Sequence, residues 1–376
     1  MSAPPIVKGW CPGAHRPMMS GDGLVVRVRP FRAELTAAQA LALCDLAERF
    51  GNGTLDLTSR ANLQFRGVAE ADHAALLAEL DALGLIDADP AVEGHRNILM
   101  PPDWEQGDLT DRLYTALLDT LPRLPDLPEK MGFALDTGRG AHLRAGSADF
   151  RFERDNHGAL LLRADGAARG HPVTEDTAMQ ALTEMADWFI ATGGRDTGRM
   201  SRHLRQVALP GDWQTAAPRP DGVPLSPGPA PDGPILGAAF GKIDTHALRT
   251  LLTSSKATHL RLMLNRLFWL RGAQVTNAPG FVTKANDPAL RAHACPGAPF
   301  CPQATVETRP LATRLARQTS KPLHVSGCAK GCALPRPCAL TLTGRDGAFD
   351  LVENGAPWDA PSRTALDPTT LTLKDL

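Results

Sequence analysis

The order of apolar and polar positions near the start of the chain predicts a strand, a helix and two further strands. Leu24–Arg29 alternates apolar and basic residues, as a strand with one buried face does. Thr36 is placed to cap the helix that follows it. Two more strand-like segments are expected at Leu55–Thr58 and Leu63–Arg66, and a second helix over Ala69–Leu83. This part of the chain is therefore predicted to form one small α/β unit.

A second copy of this unit follows about 208 residues later. Ile243-Asp244-Thr245 aligns with Leu35-Thr36-Ala37, and Leu270-Arg271-Gly272-Ala273 aligns with Phe65-Arg66-Gly67-Val68. The second alignment has an offset about three residues shorter, which places a gap near the glycine turn of the first copy. Each unit has the element order of a ferredoxin-like half-domain. We therefore expect an α/β (α+β) protein with duplicated halves.

The region between the two copies is predicted to form a larger α/β segment. Helices are expected at Thr110–Leu121 and Thr177–Thr192, with a strand at Phe133–Asp136. After the second copy, we expect a helix over Ala304–Arg317 and a closing hairpin within residues 339–352. The same kinds of element therefore follow both copies.

Composition narrows the classes of function. The chain has 40 Lys and Arg against 41 Asp and Glu, so it lacks the basic excess of a general nucleic-acid-binding protein. The sequence contains no apolar run of about 18 residues, which argues against a membrane span. The N-terminal residues also lack the apolar core of a signal peptide. We expect a soluble, cytoplasmic monomer.

Five of the seven cysteines lie within residues 293–338. Four of them form two close pairs, Cys295 with Cys301 as C-x5-C and Cys328 with Cys332 as C-x3-C. Gly and Pro surround each pair, so the thiols are expected to project from tight turns. Four thiolates in two loops suit a 4Fe–4S cluster. Zinc is the main alternative, although its sites prefer spacers of about two to four residues, and buried free thiols are another.

The two cysteine pairs resemble the cluster motif of the siroheme-dependent sulfite and nitrite reductases. That motif is C-x5-C, an interval, and G-C-x-x-G-C, matched here by Cys295–Cys301 and Gly327–Cys332. The form L-H-V-S-G-C-A-K-G-C, the WCPGAHRPM segment at residues 10–18 and the short chain are most similar to one branch of this superfamily. That branch acts on the metal-free tetrapyrrole precorrin-3A in aerobic cobalamin biosynthesis. The resemblance implies O2-dependent hydroxylation of precorrin-3A at its C20 meso carbon, with γ-lactone formation.

The resemblance also implies nitrite/sulfite reductase-like halves, each a ferredoxin-like half-domain followed by a larger α/β segment. The expected boundaries are 1–22 for an N-terminal extension, 23–88 for the first ferredoxin-like half-domain, 89–214 for the first reductase-like α/β segment, 215–234 for a linker, 235–288 for the second half-domain and 289–376 for the iron–sulfur cluster-binding segment. The Pro- and Gly-rich linker should hold neither a helix nor a central strand.

Polar and basic residues of the first half are the expected substrate-binding groups. In the reductases, arginines and a lysine line the face of the macrocycle where substrate binds, and the matching polar positions here are Arg29, Arg60, Gln64, Arg96, Asn97 and Lys130. Arg96 and Lys130 are also the candidate catalytic residues. Taken singly, each charge could equally be solvated surface. A precorrin carries many carboxylates, however, and a partly shielded Arg–carboxylate bond contributes about 1.5–3 kcal/mol. A further basic group that could join them is Arg199, Arg202 and Arg205.

The implied cofactors follow from the same resemblance. A 4Fe–4S cluster on Cys295, Cys301, Cys328 and Cys332 would pass electrons from NAD(P)H or an electron-donor protein. A mononuclear non-heme iron is a further candidate. Histidines in loops or near the cluster motif that are available to such an iron are His15, His95, His142, His203, His293 and His324.

Two other functions fit part of the sequence. A siroheme-dependent sulfite or nitrite reductase would bind siroheme and take electrons from ferredoxin or a flavoprotein. The reductases often carry a second basic residue two positions after the loop lysine, where this chain has Gly132, and an asparagine where it has Lys330. A cluster carrier or redox sensor would leave the basic residues of the first half without a role.

Overall fold

The computed structural model describes residues 11–274 and 277–373, so the first ten residues of the predicted N-terminal extension lie outside the described part. The strands are β1 Met18–Ser20, β2 Gly23–Val28, β3 Glu34–Thr36, β4 Thr54–Leu57, β5 Leu63–Val68, β6 Ile98–Leu99, β7 Phe133–Asp136, β8 Phe150–Arg154, β9 Leu160–Ala164, β10 His171–Pro172, β11 Ile235–Gly237, β12 Lys242–Asp244, β13 His259–Leu262, β14 Leu267–Arg271, β15 Ala292–Ala294, β16 Leu323–Ser326, β17 Cys338–Arg345, β18 Ala348–Gly355 and β19 Arg363–Leu366. The helices are α1 Ala37–Phe50, α2 His73–Ala82, α3 Pro90–His95, α4 Leu109–Thr120, α5 Glu175–Ala191, α6 Gly194–Thr197, α7 Met200–His203, α8 Thr245–Ser255 and α9 Arg309–Ala316.

These strands form two antiparallel sheets and two mixed sheets. The first sheet has the order β1-β2-β5-β4-β12 and the third has β11-β14-β13-β3. The second sheet has the order β10-β9-β8-β7-β6 and the fourth has β15-β16-β17-β18-β19. In the second sheet β6, β7 and β8 are parallel, as β15, β16 and β17 are in the fourth, and the remaining pairs of both are antiparallel. An antiparallel sheet followed by a mixed sheet thus occurs twice, which confirms the predicted α+β fold with duplicated halves.

The two halves exchange one strand each. β3 of the first half pairs with β13 in the third sheet, whereas its counterpart β12 pairs with β4 in the first sheet. Leu35 lies opposite Leu260 and Ile243 lies opposite Leu55, so equivalent residues make equivalent pairings. Each antiparallel sheet is therefore completed by the other half of the chain.

Backbone conformation repeats between the copies as well. A 3-10 turn precedes each exchanged strand, and its central residue has a positive φ of 57°, at Arg32 in one copy and Phe240 in the other. Gly67 and Gly272 occupy matching positions with φ of 73° and 71°. Helix α1 has 14 residues and α8 has 11, so the predicted three-residue gap lies at the end of this helix.

Local signals placed most helices correctly. Thr36 caps α1 through a capping box, in which Thr36 Oγ1 accepts from the Gln39 N–H at 3.1 Å and Gln39 Oε1 accepts from the Thr36 N–H at 3.0 Å. The predicted helix over Ala304–Arg317 is wrong at its start, because α9 begins only at Arg309. Thr308 Oγ1 instead donates to the Cys295 carbonyl, which holds the preceding residues in the cysteine-rich loops.

The apolar residues separate into two main cores. The larger one extends from the antiparallel sheets and α1 to the second sheet with α4 and α5, and it includes Leu43, Phe65 and Phe152, all fully buried. A smaller one lies between the fourth sheet and α9, where Val325 packs with Leu315. Residues 215–234 hold no helix or regular strand, as their composition predicted. Within the described residues, no helix combines the length and apolar character needed to cross a membrane.

Candidate active site

The first sheet carries polar side chains on the face opposite the main core. Because side chains alternate along a strand, Arg27 and Arg29 share one face of β2 while their neighbours enter the core. Arg27 lies opposite Gln64 on β5, which in turn lies opposite Asp56 on β4. We call this surface the polar face, and its residues are Arg27, Arg29, Asp56, Gln64 and Arg66.

Arg29 and Arg96 share one buried carboxylate, that of Glu93. Arg29 Nη1 donates to Glu93 Oε1 at 3.2 Å and Arg96 Nη2 donates to Glu93 Oε2 at 2.6 Å. Arg29 Nε also donates to Asn97 Oδ1 at 3.0 Å, and the Arg96 guanidinium lies 3.8 Å from the centre of the Phe31 ring. Burial lowers the pKa of Arg29, and Glu93 opposes this effect. The structure therefore brings three of the predicted site residues together around Glu93, a partner that sequence reasoning missed.

Arg60 lies at the edge of the polar face and contacts the segment between the two copies. Its Nη2 donates to Ser147 Oγ at 2.7 Å, and Arg199 Nη2 donates to the same oxygen at 2.8 Å. Arg199 is held by Asp149, which accepts from its Nε at 2.9 Å. Burial and the nearby Arg199 lower the pKa of Arg60. Arg199 thus joins the candidate site.

Arg202 and Arg205 do not join it, because both are exposed to solvent, Arg202 within α7 and Arg205 just after it. The short basic segment therefore divides, with only its first arginine facing Arg60.

Arg27 is a site residue that the sequence analysis did not select. Burial and the nearby Arg29 lower its pKa to about 10, and the Cys11 thiol lies beside it. Arg27 N–H donates to the Gly13 carbonyl at 3.1 Å, so the N-terminal segment runs along β2. In the described part of the chain Arg27 makes no ion pair, and its buried Nε has no hydrogen-bond partner. The alternation along β2 was the available signal.

Lys130 and Gly132 lie in the loop that precedes β7. Lys130 is half-buried, and its ammonium has no hydrogen bond or ion pair to another described residue. Gly132 N–H donates to Asp149 Oδ2 at 3.1 Å. A Cβ at Gly132 would lie 2.8 Å from the Asn97 carbonyl oxygen, so this backbone excludes a side chain. The second cation of the reductase loop therefore has no room here without a shift of the backbone at Asn97.

The C-terminal segment contacts the polar face directly. Arg66 Nη2 donates to the Phe300 carbonyl at 2.9 Å, and Arg309 Nη2 donates to Asp56 Oδ1 at 2.8 Å. The Phe300 carbonyl also accepts from Ser20 Oγ at 2.7 Å. The first C-x5-C loop is therefore held against the sheet that carries Arg27 and Gln64.

The four predicted cysteine ligands lie at the ends of β15 and β16. Burial raises the pKa of the Cys295, Cys328 and Cys332 thiols, the last to about 11, and the cysteines raise one another's pKa further. The Gly327 N–H donates to Cys295 Sγ at 3.2 Å, and a Cβ at Gly327 would collide with Ala304 at 2.7 Å. Close approach of an amide to sulfur is what an iron–sulfur site requires, so these residues fit a cluster.

No group of three or more His, Cys, Asp or Glu side chains in residues 11–274 and 277–373 is gathered closely enough to hold one metal ion. In a cubane cluster each cysteine binds a different iron, so its four sulfurs stand further apart than around one zinc. Cys338 opens β17, and no cluster cysteine is among the groups that shift its pKa.

The candidate histidines are scattered, except for one pair. His15, His95 and His203 bond to nearby protein oxygens, and His142 lies apart from them in the loop after β7. His293 and His324 are directly opposite each other on β15 and β16. Burial and Arg266 lower the pKa of these two, to about 3 and about 4.

Comparison with known proteins agrees with this architecture. Residues 16–83 match the family described as the nitrite/sulfite reductase ferredoxin-like half domain. The precorrin-3B synthase of Sinorhizobium sp is 31% identical over 94% of this chain and 84% of its own length. The chain belongs to the precorrin-3B synthase family. Like other members of the nitrite/sulfite reductase superfamily, it is an enzyme.

Other relatives of this precorrin-3B synthase family member are more distant. The ferredoxin–nitrite reductase of Synechococcus elongatus is 30% identical over only 38% of this chain and 30% of its own length. The Mycobacterium tuberculosis NirA protein has a TM-score of 0.66 with 17% identity, over 93% of this chain and 78% of its own. NirA therefore shares the fold.

Proposed function

We propose that this chain is a precorrin-3B synthase of aerobic cobalamin biosynthesis. It would hydroxylate precorrin-3A at the C20 meso carbon and close a γ-lactone from the ring A acetate. One oxygen atom of O2 enters the macrocycle and the other leaves as water. This requires two electrons and two protons, of which a reductant such as NAD(P)H supplies both electrons and one proton and the solvent supplies the other proton. The full-length similarity to the Sinorhizobium precorrin-3B synthase is the observation that carries this proposal.

The polar face supplies groups for a polycarboxylate macrocycle. Arg27, Arg60 and Lys130 have no carboxylate partner among the described residues. Gln64 lies between Arg27 and Asp56 across the sheet. Arginine without an internal counter-ion is costly to bury, and a carboxylate of the ligand would offset that cost. The roles of Arg29, Arg96 and Asn97 would be indirect, positioning the residues that contact the substrate. Glu93 already forms ion pairs with both arginines. Arg60 and Lys130 are thus the groups best placed to contact substrate.

Cys295, Cys301, Cys328 and Cys332 would hold a 4Fe–4S cluster, which would supply single electrons to the reaction. The chain's own contribution is to hold the first cysteine loop against the polar face through Arg66, and helix α9 through Arg309. Metal binding by Cys328 and Cys332 would release protons, because burial raises the pKa of both thiols.

A siroheme-dependent nitrite or sulfite reductase is the second candidate, favoured by the partial similarity to ferredoxin–nitrite reductases. Gly132 argues against it. A reductase site gathers cations around a small anion, and the Asn97 carbonyl leaves no room for one at this position.

The deciding experiment begins with the absorption spectrum of protein purified without oxygen, with iron, sulfide and zinc assays on the same sample. A broad cluster band with about four sulfides and no macrocycle bands supports the proposal. Precorrin-3A, O2 and a reductant should then yield a hydroxylated lactone. Sharp siroheme bands would favour the reductase, and zinc without sulfide would exclude both.

A further inference from the structure

Beside the cysteine loops lies a group of nitrogen donors that the proposed function has not used. Its members are His293 on β15, His324 on β16, and Arg266 in the loop between β13 and β14. Arg266 Nη2 donates to His293 Nδ1 at 2.6 Å. His324 is fully buried, and neither of its ring nitrogens has a hydrogen-bond partner in the described part of the chain. A buried imidazole without a partner is costly, so a partner from outside the chain is expected.

The fold does not require histidines at these positions, as its own second sheet shows. There, Leu99 on β6 and Ala134 on β7 are the cross-strand pair on the corresponding face. They pack with Leu264, which belongs to the same loop as Arg266. The second sheet thus has apolar side chains on this face, whereas the fourth sheet has imidazoles at the equivalent positions.

The donors present favour an anion over a metal ion. Arginine can only donate, so His293 Nδ1 accepts from Arg266 and the proton of the neutral ring lies on Nε2. His293 therefore offers an N–H and has no free lone pair for a metal. His324 adds one N–H, and Arg266 makes no ion pair with any described carboxylate. Burial and the neighbouring Arg309 lower the pKa of Arg266 to about 10.

The backbone around Arg266 is also held in an uncommon conformation. Asn265 and Arg266 have positive φ angles of 60° and 64°, whereas in the first copy the matching loop has one such residue, Ala61. Asparagine adopts this region readily, whereas an arginine does so only at a cost in free energy. This backbone conformation places the Arg266 guanidinium against the His293 ring.

The group is continuous with the polar face. Arg309 lies near Arg266 and bonds Asp56, which neighbours Gln64 and then Arg27 across the sheet. A large ligand on the polar face could therefore extend one acidic arm toward β15 and β16. This continuity selects the tetrapyrrole over a separate small anion.

We infer that Arg266, His293 and His324 form a second anchoring site that binds a carboxylate side chain of the tetrapyrrole substrate. This inference rests on the proposed function and extends it, because the anchor comes from the second half of the chain. Its role is to fix the orientation of the macrocycle relative to the cysteine loops.

The test measures precorrin-3A binding by absorbance or fluorescence titration. O2 is excluded so that no turnover occurs. His324→Ala copies Ala134 of the second sheet, and Arg266→Met removes the charge but keeps the length. Each should weaken binding about tenfold or more, with iron and sulfide unchanged. Arg49→Ala is the control, because Arg49 is exposed and pairs with Glu79. This variant should bind precorrin-3A with wild-type affinity.

A second measurement separates anchoring from a structural role. If His324 served the fold, His324→Ala would unfold at a lower urea concentration. As an unpartnered buried group it should leave the unfolding midpoint unchanged or raise it. A lowered midpoint with unchanged affinity would overturn the inference.

The remaining outcomes are also decisive. Wild-type affinity in both variants would overturn the inference and leave the proposed function standing. Failure of the wild-type protein to bind precorrin-3A would overturn both. Inorganic phosphate that binds wild-type protein but not Arg266→Met, with equal tetrapyrrole affinity in the two, would reassign the site to a free anion and overturn the inference.

Discussion

At the scale of single residues, the arginines of this chain divide by the partner each has found. Arg29 and Arg96 lie on Glu93, whereas Arg27, Arg60 and Arg266 lack a carboxylate among the described residues. A paired buried charge supports the fold, and an unpaired one is available to a ligand. The same residue type therefore serves two purposes within one sheet face.

Loss of the shared carboxylate should affect stability. Glu93→Gln leaves two buried guanidiniums without an anion, and we expect a loss of about 3 kcal/mol in the free energy of unfolding. Urea unfolding followed by circular dichroism measures it. Glu175→Gln, which breaks the exposed pair with Arg112, is the control and should change little. Equal effects of the two substitutions would contradict the assigned role of Glu93.

Arg60 should instead matter for the ligand. Arg60→Ala removes a guanidinium whose hydrogen bond among the described residues goes to the Ser147 hydroxyl. We expect precorrin binding to weaken by about 1.5–3 kcal/mol while iron, sulfide and the unfolding midpoint stay unchanged. A titration under nitrogen measures the affinity. Unchanged binding would remove Arg60 from the site.

The cysteines permit a similar contrast. Cys328→Ser and Cys332→Ser should each abolish the cluster, because each thiolate is expected to bind its own iron. Cys338→Ser is the control, since Cys338 is a free thiol that follows the second cysteine loop, at the start of β17, but lies outside the group of four. Iron and acid-labile sulfide assays distinguish the variants. Full sulfide content in Cys328→Ser would contradict the ligand assignment.

At the scale of elements, the position of the exchanged strand β12 depends on one glycine in the turn before it. Gly241 has φ of 80°, and a Cβ there would lie 2.2 Å from the Leu57 carbonyl oxygen. Gly347 has nearly the same φ, 83°, but nothing within 4 Å of its Cβ position. Alanine substitutions at these two glycines therefore distinguish the cost of backbone strain from the cost of a steric collision.

We therefore expect different losses of stability from the same substitution. Gly347→Ala should cost about 1 kcal/mol, from the left-handed backbone alone. Gly241→Ala should cost about 3 kcal/mol or more, because the methyl group also pushes the turn before β12 away from β4. Thermal and urea unfolding of both variants provide the comparison. Equal losses would show that the turn can move freely.

Elements with a local signal were predictable, and those defined by distant contacts were not. Thr36 and the alternation in Leu24–Arg29 are local, so α1 and β2 were placed correctly. Strands β15 and β16 alternate apolar and polar residues, but they are only three and four residues long, so this local pattern is too short to distinguish a strand from a loop. The late start of α9 follows from a bond between Thr308 and Cys295, thirteen positions apart.

The candidate site shows the same limit. Motif matching selected Arg29, Arg60 and Lys130, but it could not show that Arg29 is neutralised by Glu93. The spacing of Glu93 and Arg96, three residues apart, was the only local sign of that pair. Arg266 and His324 come from different segments of the second half, the loop between β13 and β14 and strand β16, so no short sequence window contains both.

At the scale of the whole molecule, the cluster is expected to stabilise one region more than the rest. Binding to the folded state alone adds stability where the ligands lie. Removing iron with a chelator should therefore increase amide hydrogen exchange in residues 295–301 and 327–332. β2, β4 and β5 should keep their protection. Uniform loss of protection across all four sheets would indicate a single cooperative unit.

The exchange of β3 and β12 has a consequence for synthesis on the ribosome. The edge of β4 stays without its partner until Lys242–Asp244 has emerged, almost 190 residues after Thr54–Leu57. An unpaired edge is a site for wrong association between nascent chains. The first half must therefore wait for the second in every copy made, and the time of waiting is set by the speed of translation.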